Sequence, residues 1–368
     1  MKAWVYRKNK SDSAGIHIFK EEAPVPSPQP DQVLLRVEKV SVCGTDEALF
    51  RGSLAKVPDG IIPGHEFYGE IVELGRDVRH LRAGQKIAGE SHYQVSGISD
   101  QGIIGLWGPE IRKGELLPPL HGAYSEYLVI PAECAHPVPG EMISEHFWPS
   151  LFEAVGNDYF LVKRVRDVKP VRNLGIFGAG PHGVFAQIFA RHFAIPQIAA
   201  FEPDAFRREF SAKLGAADKV FDPTHDLQNT VADFTAGNMF DVTIDMVGKQ
   251  GQGFQSCCET TRDGGTILLF GLFSGDKFAI NDVPGNEIIF KMKTLNYEYK
   301  GKHLRLEGIT GREGIWQELI QTVSQNSFLQ EQLMKPVQVK GTLDRLGPDS
   351  ESHESGLLKR AYDAFNHA

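Results

Sequence analysis

Residues 171–193, VRNLGIFGAGPHGVFAQIFARHF, decide how the second half of the chain folds. An apolar run, LGIF, enters a turn built on Gly178-Ala179-Gly180-Pro181-His182-Gly183 and leaves it as VFAQIFARHF, whose apolar residues recur at helical spacing. A G-x-G-x-x-G pattern means little alone, because glycine-rich turns are common. Between a strand and a helix it acquires a mechanism. Gly178 permits the tight turn, Gly180 lets the backbone approach a pyrophosphate, and Gly183 lets the helix pack close to the strand. The helix, entered through Pro181, offers its first N–H groups to phosphate oxygens. PQIAAFEP (196–203) then reads as a second strand ending on Glu202, nineteen positions after Gly183. A carboxylate there accepts hydrogen bonds from a ribose 2′-hydroxyl and repels a 2′-phosphate, so NAD is expected rather than NADP. Arg207, five positions on, is placed to cover the adenosine or to admit a 2′-phosphate.

The alternation continues outward from that turn. DAFRREFSAKLGA reads as a helix, ADKVFDP, FDVTIDMVG and GGTILLFGLF as apolar strands, and helical segments lie between them. Alternating β and α units imply a parallel sheet with helices on both faces, a doubly wound Rossmann domain expected over residues 159–314. Residues 1–158 have another texture, short strands punctuated by Gly and Pro. In DQVLLRVEKVSV (31–42), Val33, Leu35 and Val37 alternate with Leu34, Arg36 and Glu38, the period of a half-buried strand. GEIVELG (69–75) and GAYSEYLVIP (122–131) are similar, and Ser91 to Leu120 reads as an irregular lobe. The expected architecture is a β-rich domain over 1–158, rejoined by 315–368. That tail reads as a helix (IWQELIQTVSQ), a strand (PVQVKG), a polar loop and a last helix (LLKRAYDAFNHA).

Composition bounds the function. A chain of 368 residues is longer than one core usually serves. Lys plus Arg total 39 against 47 Asp plus Glu, a net charge of −8 that suits neither a nucleic-acid backbone nor an anionic membrane. No apolar run reaches the length of a membrane span, and no signal-type apolar core follows the basic start MKAWVYRKNK. Four cysteines make no disulfide framework in a chain this long, so a reducing cytoplasm is expected.

PGHEF (63–67) gains meaning beside a dinucleotide site. Cys43, in VCGTDEALF, follows the alternating strand, and His65 and Glu66 follow some twenty residues later. Thiolate, imidazole and carboxylate are ligands that zinc accepts, and a catalytic zinc keeps one exchangeable position. Cys134, Cys257 and Cys258 read instead as buried and inert.

VCGTD, GHEFYGEIVELG, GAYSEYLVIP, LFEAVGN and GAGPHG, in that order, resemble the zinc-dependent medium-chain dehydrogenases, in which a GroES-like catalytic domain accompanies a Rossmann domain. The likeness runs to about residue 340. EPDAFRREFSAKLGA, LFGLF, GITGREGIWQEL and the ESH of GESHYQVSG are more narrowly similar to L-threonine 3-dehydrogenases. The resemblance implies oxidation of a small secondary alcohol by NAD, with threonine giving 2-amino-3-ketobutyrate, and hydride passing to a nicotinamide held in the cleft between domains. It implies one catalytic zinc on Cys43, His65 and Glu66, with Glu153 as a fourth carboxylate. It implies Thr45 as the first group of the proton exit and His92 near the substrate, unless His92 merely caps a loop. It also implies a cofactor site lined by Gly271, Leu272, Ile309 and Thr310 besides the glycine turn, and a homo-oligomer, dimer or tetramer.

Three departures qualify this. Most relatives carry four closely spaced cysteines for a structural zinc, whereas this chain reads SHYQVSGISDQGIIG (91–105), so no structural zinc is expected and the tetramer is in question. Threonine dehydrogenases usually have histidine where this chain has Ala48, which relays no proton. The segment 281–312 is longer than its counterpart, and LLKRAYDAFNHA replaces the usual closing Gly-Lys strand. A polyol or sugar dehydrogenase of the same superfamily therefore stands as the alternative, with a zinc-free quinone reductase and a non-catalytic NAD-binding protein behind it.

Overall fold

The computed structural model describes residues 1–336 apart from 12–14, 53, 55, 56, 113, 143–151, 168–170, 275–277 and 311–313. The expected strand PVQVKG, the polar loop and the last helix lie outside the described residues, save for Pro336. Two compact units are present, one over Met1–Ala154 and one over Val155–Pro336.

In the first unit, β1 (Lys2–Tyr6) pairs antiparallel with β2 (Ile18–Glu22). β3 (Gln32–Val40) leads to the short helix α1 (Gly44–Phe50), then β4 (Phe67–Leu74) and β5 (Lys86–Gly89). β6 (His92–Gln94) with β7 (Gln101–Ile103), and β8 (Glu110–Arg112) with β9 (Glu115–Leu116), form two small hairpins. β10 (Tyr127–Pro131) and β11 (Ala135–Pro137) complete an antiparallel sheet in the order β10-β3-β4-β5-β11. Val33 and Leu35 of β3 face its core with Phe67, Ile71, Ile87 and Ile130. Leu34, expected outward, is also buried at 6% exposure, so the alternation is sharp only from Arg36 onward. The irregular lobe is anchored by packing: Ile104 joins the sheet core, and Leu106 joins a second cluster with Trp4, Tyr6, Leu49 and Tyr124.

The second unit begins within α2 (Phe152–Asp167), which spans the boundary expected at 158. Then come β12 (Asn173–Phe177), α3 (Pro181–His192), β13 (Gln197–Phe201), α4 (Ala205–Leu214), β14 (Lys219–Phe221), α5 (Leu227–Phe234), β15 (Phe240–Asp245), α6 (Gln252–Thr260) and β16 (Thr261–Leu269). The pair β17 (Ala279–Ile280) and β18 (Val283–Pro284), α7 (Gly285–Phe290), the hairpin β19 (Thr294–Tyr299) and β20 (Lys302–Gly308), α8 (Trp316–Ser324) and α9 (Ser327–Met334) follow. The seven strands run β14-β13-β12-β15-β16-β20-β19, parallel except for β19. All five residues of β12 are buried, as a central parallel strand covered on both faces requires. Strand order reverses between β12 and β15, which places the ligand crevice of such a sheet at the carboxyl ends of these strands. Residues 315–336, expected to return to the first domain, belong to the second unit: the Tyr159 hydroxyl of α2 donates to Glu318 of α8 at 2.7 Å.

Candidate metal centre and dinucleotide turn

Cys43 is the N-cap of α1, and its backbone N–H donates to Asp46 Oδ2 at 3.0 Å while its sulfur accepts from the Thr45 N–H at 3.4 Å. This is a capping box with a thiol in place of the usual hydroxyl. It draws Asp46 fully inside, where its Oδ1 lies 3.2 Å from Nδ1 of His65. PGHEF is clamped from the other side. The N–H groups of Gly122, Ala123 and Tyr124 donate to the carbonyls of Ile62, Gly64 and Pro63 at 2.6, 2.8 and 2.9 Å. Gly64 has φ +99°, and a Cβ on it would sit 2.8 Å from the Tyr124 ring, so only glycine fits. The Ser41 N–H, just before Cys43, donates to the Glu66 carbonyl at 3.0 Å. These ties bring one ligand atom each of Cys43, His65 and Glu66 within 4.8 Å of one another.

The electrostatics agree with that convergence. Burial opposes charge on His65, but Asp46 and Cys43 outweigh it and hold the imidazole pKa well above its ordinary value. Burial pushes Glu66 well up, and the charges of Cys43, Glu153 and Asp46 push it further. Ionised as metal ligands, Cys43 and Glu66 bring two negative charges to one imidazole. A divalent ion that accepts S, N and O ligands at about 2.0–2.3 Å fits that donor set.

In the second unit the turn after β12 has the shape its glycines imply. Gly178 has φ +107°, and a Cβ on Gly183 would fall 1.9 Å from the Gly178 carbonyl oxygen. A Cβ on Gly180 would meet nothing within 4 Å, which leaves open space in front of the helix N-terminus where a phosphate needs it. Glu202, just beyond β13, is buried and accepts from the N–H of Ala179 at 2.8 Å and of Asp204 at 3.1 Å.

Residues 29–140 match the alcohol dehydrogenase GroES-like domain and residues 181–324 the zinc-binding dehydrogenase family. An L-threonine 3-dehydrogenase from Ruegeria pomeroyi is 30% identical over 299 residues, which cover 77% of this chain and 81% of that protein. The chain belongs to the zinc-dependent medium-chain dehydrogenases. Among solved structures, the 2R,3R-butanediol dehydrogenase of Bacillus subtilis matches with a TM-score of 0.69 at 22% identity over 90% of each chain. A zinc-binding dehydrogenase from Sinorhizobium meliloti 1021 bound to NADP gives 0.69 at 20% identity, covering 88% of this chain and 89% of that one. Both share its fold, a GroES-like domain plus a Rossmann domain, and the protein is an oxidoreductase acting on alcohols.

The other residues singled out in this dehydrogenase fall into place unevenly. Glu153 is buried but is not one of the three converging donors. It accepts from the Ser91 hydroxyl at 3.1 Å and lies 3.9 Å from Nδ1 of His92, while acting electrostatically on Glu66. Thr45 sits half-buried in the first turn of α1, and Ala48 presents a half-buried methyl one turn on. Pro181 occupies the first turn of α3. Gly271 donates its N–H to the Asp245 carbonyl at 2.8 Å, Leu272 is 51% exposed, and buried Ile309 donates to the Leu269 carbonyl at 2.9 Å, with Thr310 next to it. These four therefore stand beyond the carboxyl ends of β16 and β20. Arg207 lies in the first turn of α4, where its backbone N–H donates to Asp204, the N-cap of that helix. Cys134, Cys257 and Cys258 are buried. Sequence reasoning missed Asp46, although the C-x-x-D spacing in CGTD was its signal.

Proposed function

We propose that this dehydrogenase oxidises a small secondary alcohol with NAD, using one zinc held by Cys43, His65 and Glu66, and that L-threonine or a similar hydroxy compound is its substrate. The convergence of those three donors on one point carries the reading. When bound, the metal supplies Lewis acidity that lowers the pKa of an alcohol, and the nicotinamide accepts a hydride. The substrate carbinol loses that hydride and a proton and leaves as a ketone. Asp46, whose Oδ1 lies 3.2 Å from Nδ1 of His65, stands behind the ring as a negative charge, and Nε2 is the nitrogen we assign to the metal. The Thr45 hydroxyl is the first acceptor for the departing proton. Glu202, acceptor of two backbone N–H groups, keeps free lone pairs for the adenosine ribose and disfavours a 2′-phosphate. Glu153, held by Ser91 beside His92, is a carboxylate available to the metal or to the substrate's polar groups.

Ala48 favours the second reading, a polyol or sugar dehydrogenase, because a methyl offers the proton no further relay in α1. NAD reduction by a panel of amino-acid, polyol and sugar alcohols, on protein of known zinc content, separates the two. Cys43→Ser abolishes turnover and leaves NAD affinity nearly intact under this proposal. Unchanged turnover removes the metal role, and tight NAD binding with no turnover on any alcohol leaves a non-catalytic nucleotide-binding protein.

A further inference from the structure

The three converging donors come from two stretches of chain that part just where the ladder between them ends. β3 and β4 pair as far as Val40 opposite Phe67, with Cys43 three residues past one end and Glu66 one residue before the other. The Ser41 N–H, donating to the Glu66 carbonyl at 3.0 Å, carries that pairing one step further. Tyr124 reaches both stretches from a third. Its N–H donates to the Pro63 carbonyl at 2.9 Å, and its own carbonyl accepts from the Trp4 N–H at 2.8 Å, so its backbone is held on both sides. Its ring stands against Gly64 and lies 5.9 Å from that of Phe50 in α1, centroid to centroid. Its hydroxyl donates to the Ser41 carbonyl at 3.3 Å. One side chain thus spans from the loop bearing His65 and Glu66 to the stretch that enters Cys43.

The hydroxyl is the part that packing does not explain. The ring belongs to an apolar cluster with Leu49, Ile61, Ile62 and Leu106 and has no solvent exposure. Phenylalanine would fill that space with the same ring and no polar atom to bury. Burial, followed by the charges of Asp46, Glu66 and Cys43, holds the phenol well above its ordinary pKa. It is therefore a neutral hydroxyl beside a group of acids, with one proton to give and the Ser41 carbonyl to receive it. The backbone of residues 122–124 clamps one side of the centre, and this bond reaches the other.

We propose that Tyr124 is a positioning residue of the metal centre, its hydroxyl fixing the approach of the Cys43 stretch to the loop that carries His65 and Glu66. This rests on the assignment of zinc to those three donors. Zinc affinity, read by competition with a chromogenic chelator, tests it in Tyr124→Phe, which keeps the ring and removes one oxygen. Ser125→Ala is the control. That hydroxyl, one residue on, is also fully buried, but it donates to the Gly122 and Tyr127 carbonyls of its own stretch. Urea midpoints of the zinc-free proteins report any loss of fold separately. Tyr124→Phe should lose about three- to tenfold in zinc affinity, the scale of one neutral hydrogen bond, and Ser125→Ala less than twofold. Full zinc affinity in Tyr124→Phe, with or without a lowered urea midpoint, overturns the proposal. Equal losses in the two variants also overturn it, because they would mean that residues 122–127 merely loosen. A wild type that binds no zinc sinks the metal assignment itself, a distinct outcome.

Discussion

At Cys43 one residue does two jobs. Its sulfur is one of the three converging donor atoms, and its backbone N–H is the group through which Asp46 is turned inward to His65. The metal affinity of the centre should therefore depend on Asp46, which is not itself a ligand. Asp46→Asn keeps an oxygen for the Cys43 N–H but removes the charge behind the imidazole. Loss of such an outer partner typically costs 10- to 100-fold in metal affinity. Competition with a chromogenic chelator reads this directly, and an unchanged zinc affinity would remove Asp46 from the design of the centre. The convergence of Cys43, His65 and Glu66 was legible because their residue types and order are specific. Asp46 was not, because an acidic residue three places after a cysteine looks like a solvated first-turn charge until its burial is known. Glu153 was legible as a residue but not in its engagement with Ser91, since their meeting depends on folding across 62 positions.

At the level of elements, strong periodicity was the reliable signal. β12, α3, β13 and α4 lie where LGIF, VFAQIFARHF, QIAAF and AFRREFSAKL place them. α1 was missed because seven residues are too few to show a helical period, and α2 because the expected boundary at 158 cut it. The long segment 281–312 contains the hairpin β19–β20, whose Leu295, Tyr297 and Tyr299 turn inward in strict alternation with exposed Thr294, Asn296 and Glu298. That hairpin also finishes α6. The last carbonyls of a helix have no intrahelical partner. Here Thr260 and Thr261 hydroxyls donate to those of Ser256 and Cys257, and the ammonium of Lys302 donates to those of Cys258, Glu259 and Thr261. Lys302→Met keeps the aliphatic stem and leaves these carbonyls without their charged donor. It should cost about 1–3 kcal/mol of stability, read as a lowered urea midpoint with an unchanged slope. A midpoint like that of the wild type would show that water caps the helix as well as Lys302 does.

For the whole molecule, the net charge of −8 says little about pH dependence, which is set by the few carboxylates whose environment changes on folding. Two kinds occur in the second unit. Burial tends to raise Asp241 and Glu307, but Arg262 with two backbone N–H groups overrides it at Asp241, and Arg164 with Arg305 overrides it at Glu307, so both pKa values fall below the ordinary range. Their contribution is present at neutral pH and is lost as acid protonates them in the native state. Asp245, at the end of β15, is opposite in sign. Burial raises it to about 6 from 3.8, even though one oxygen accepts from the N–H groups of Val247 and Gly248 at 2.9 and 3.0 Å. Its other oxygen has no hydrogen-bond partner among the described residues. Between those two pH values the native state keeps a proton that the unfolded chain has released. Stability from this group therefore falls as pH rises from about 4 to 6 and stays lower above that, by about 3 kcal/mol in total. Asparagine imitates the protonated form, with an acceptor for Val247 and Gly248 and no charge to bury. Asp245→Asn should match the wild type near pH 4 and exceed it above pH 7 in denaturation midpoint, so the difference between the two curves should open between pH 4 and 6. A difference that stays flat with pH would mean that the Asp245 carboxylate is stabilised in the fold and that its burial has been offset by a partner outside the described residues.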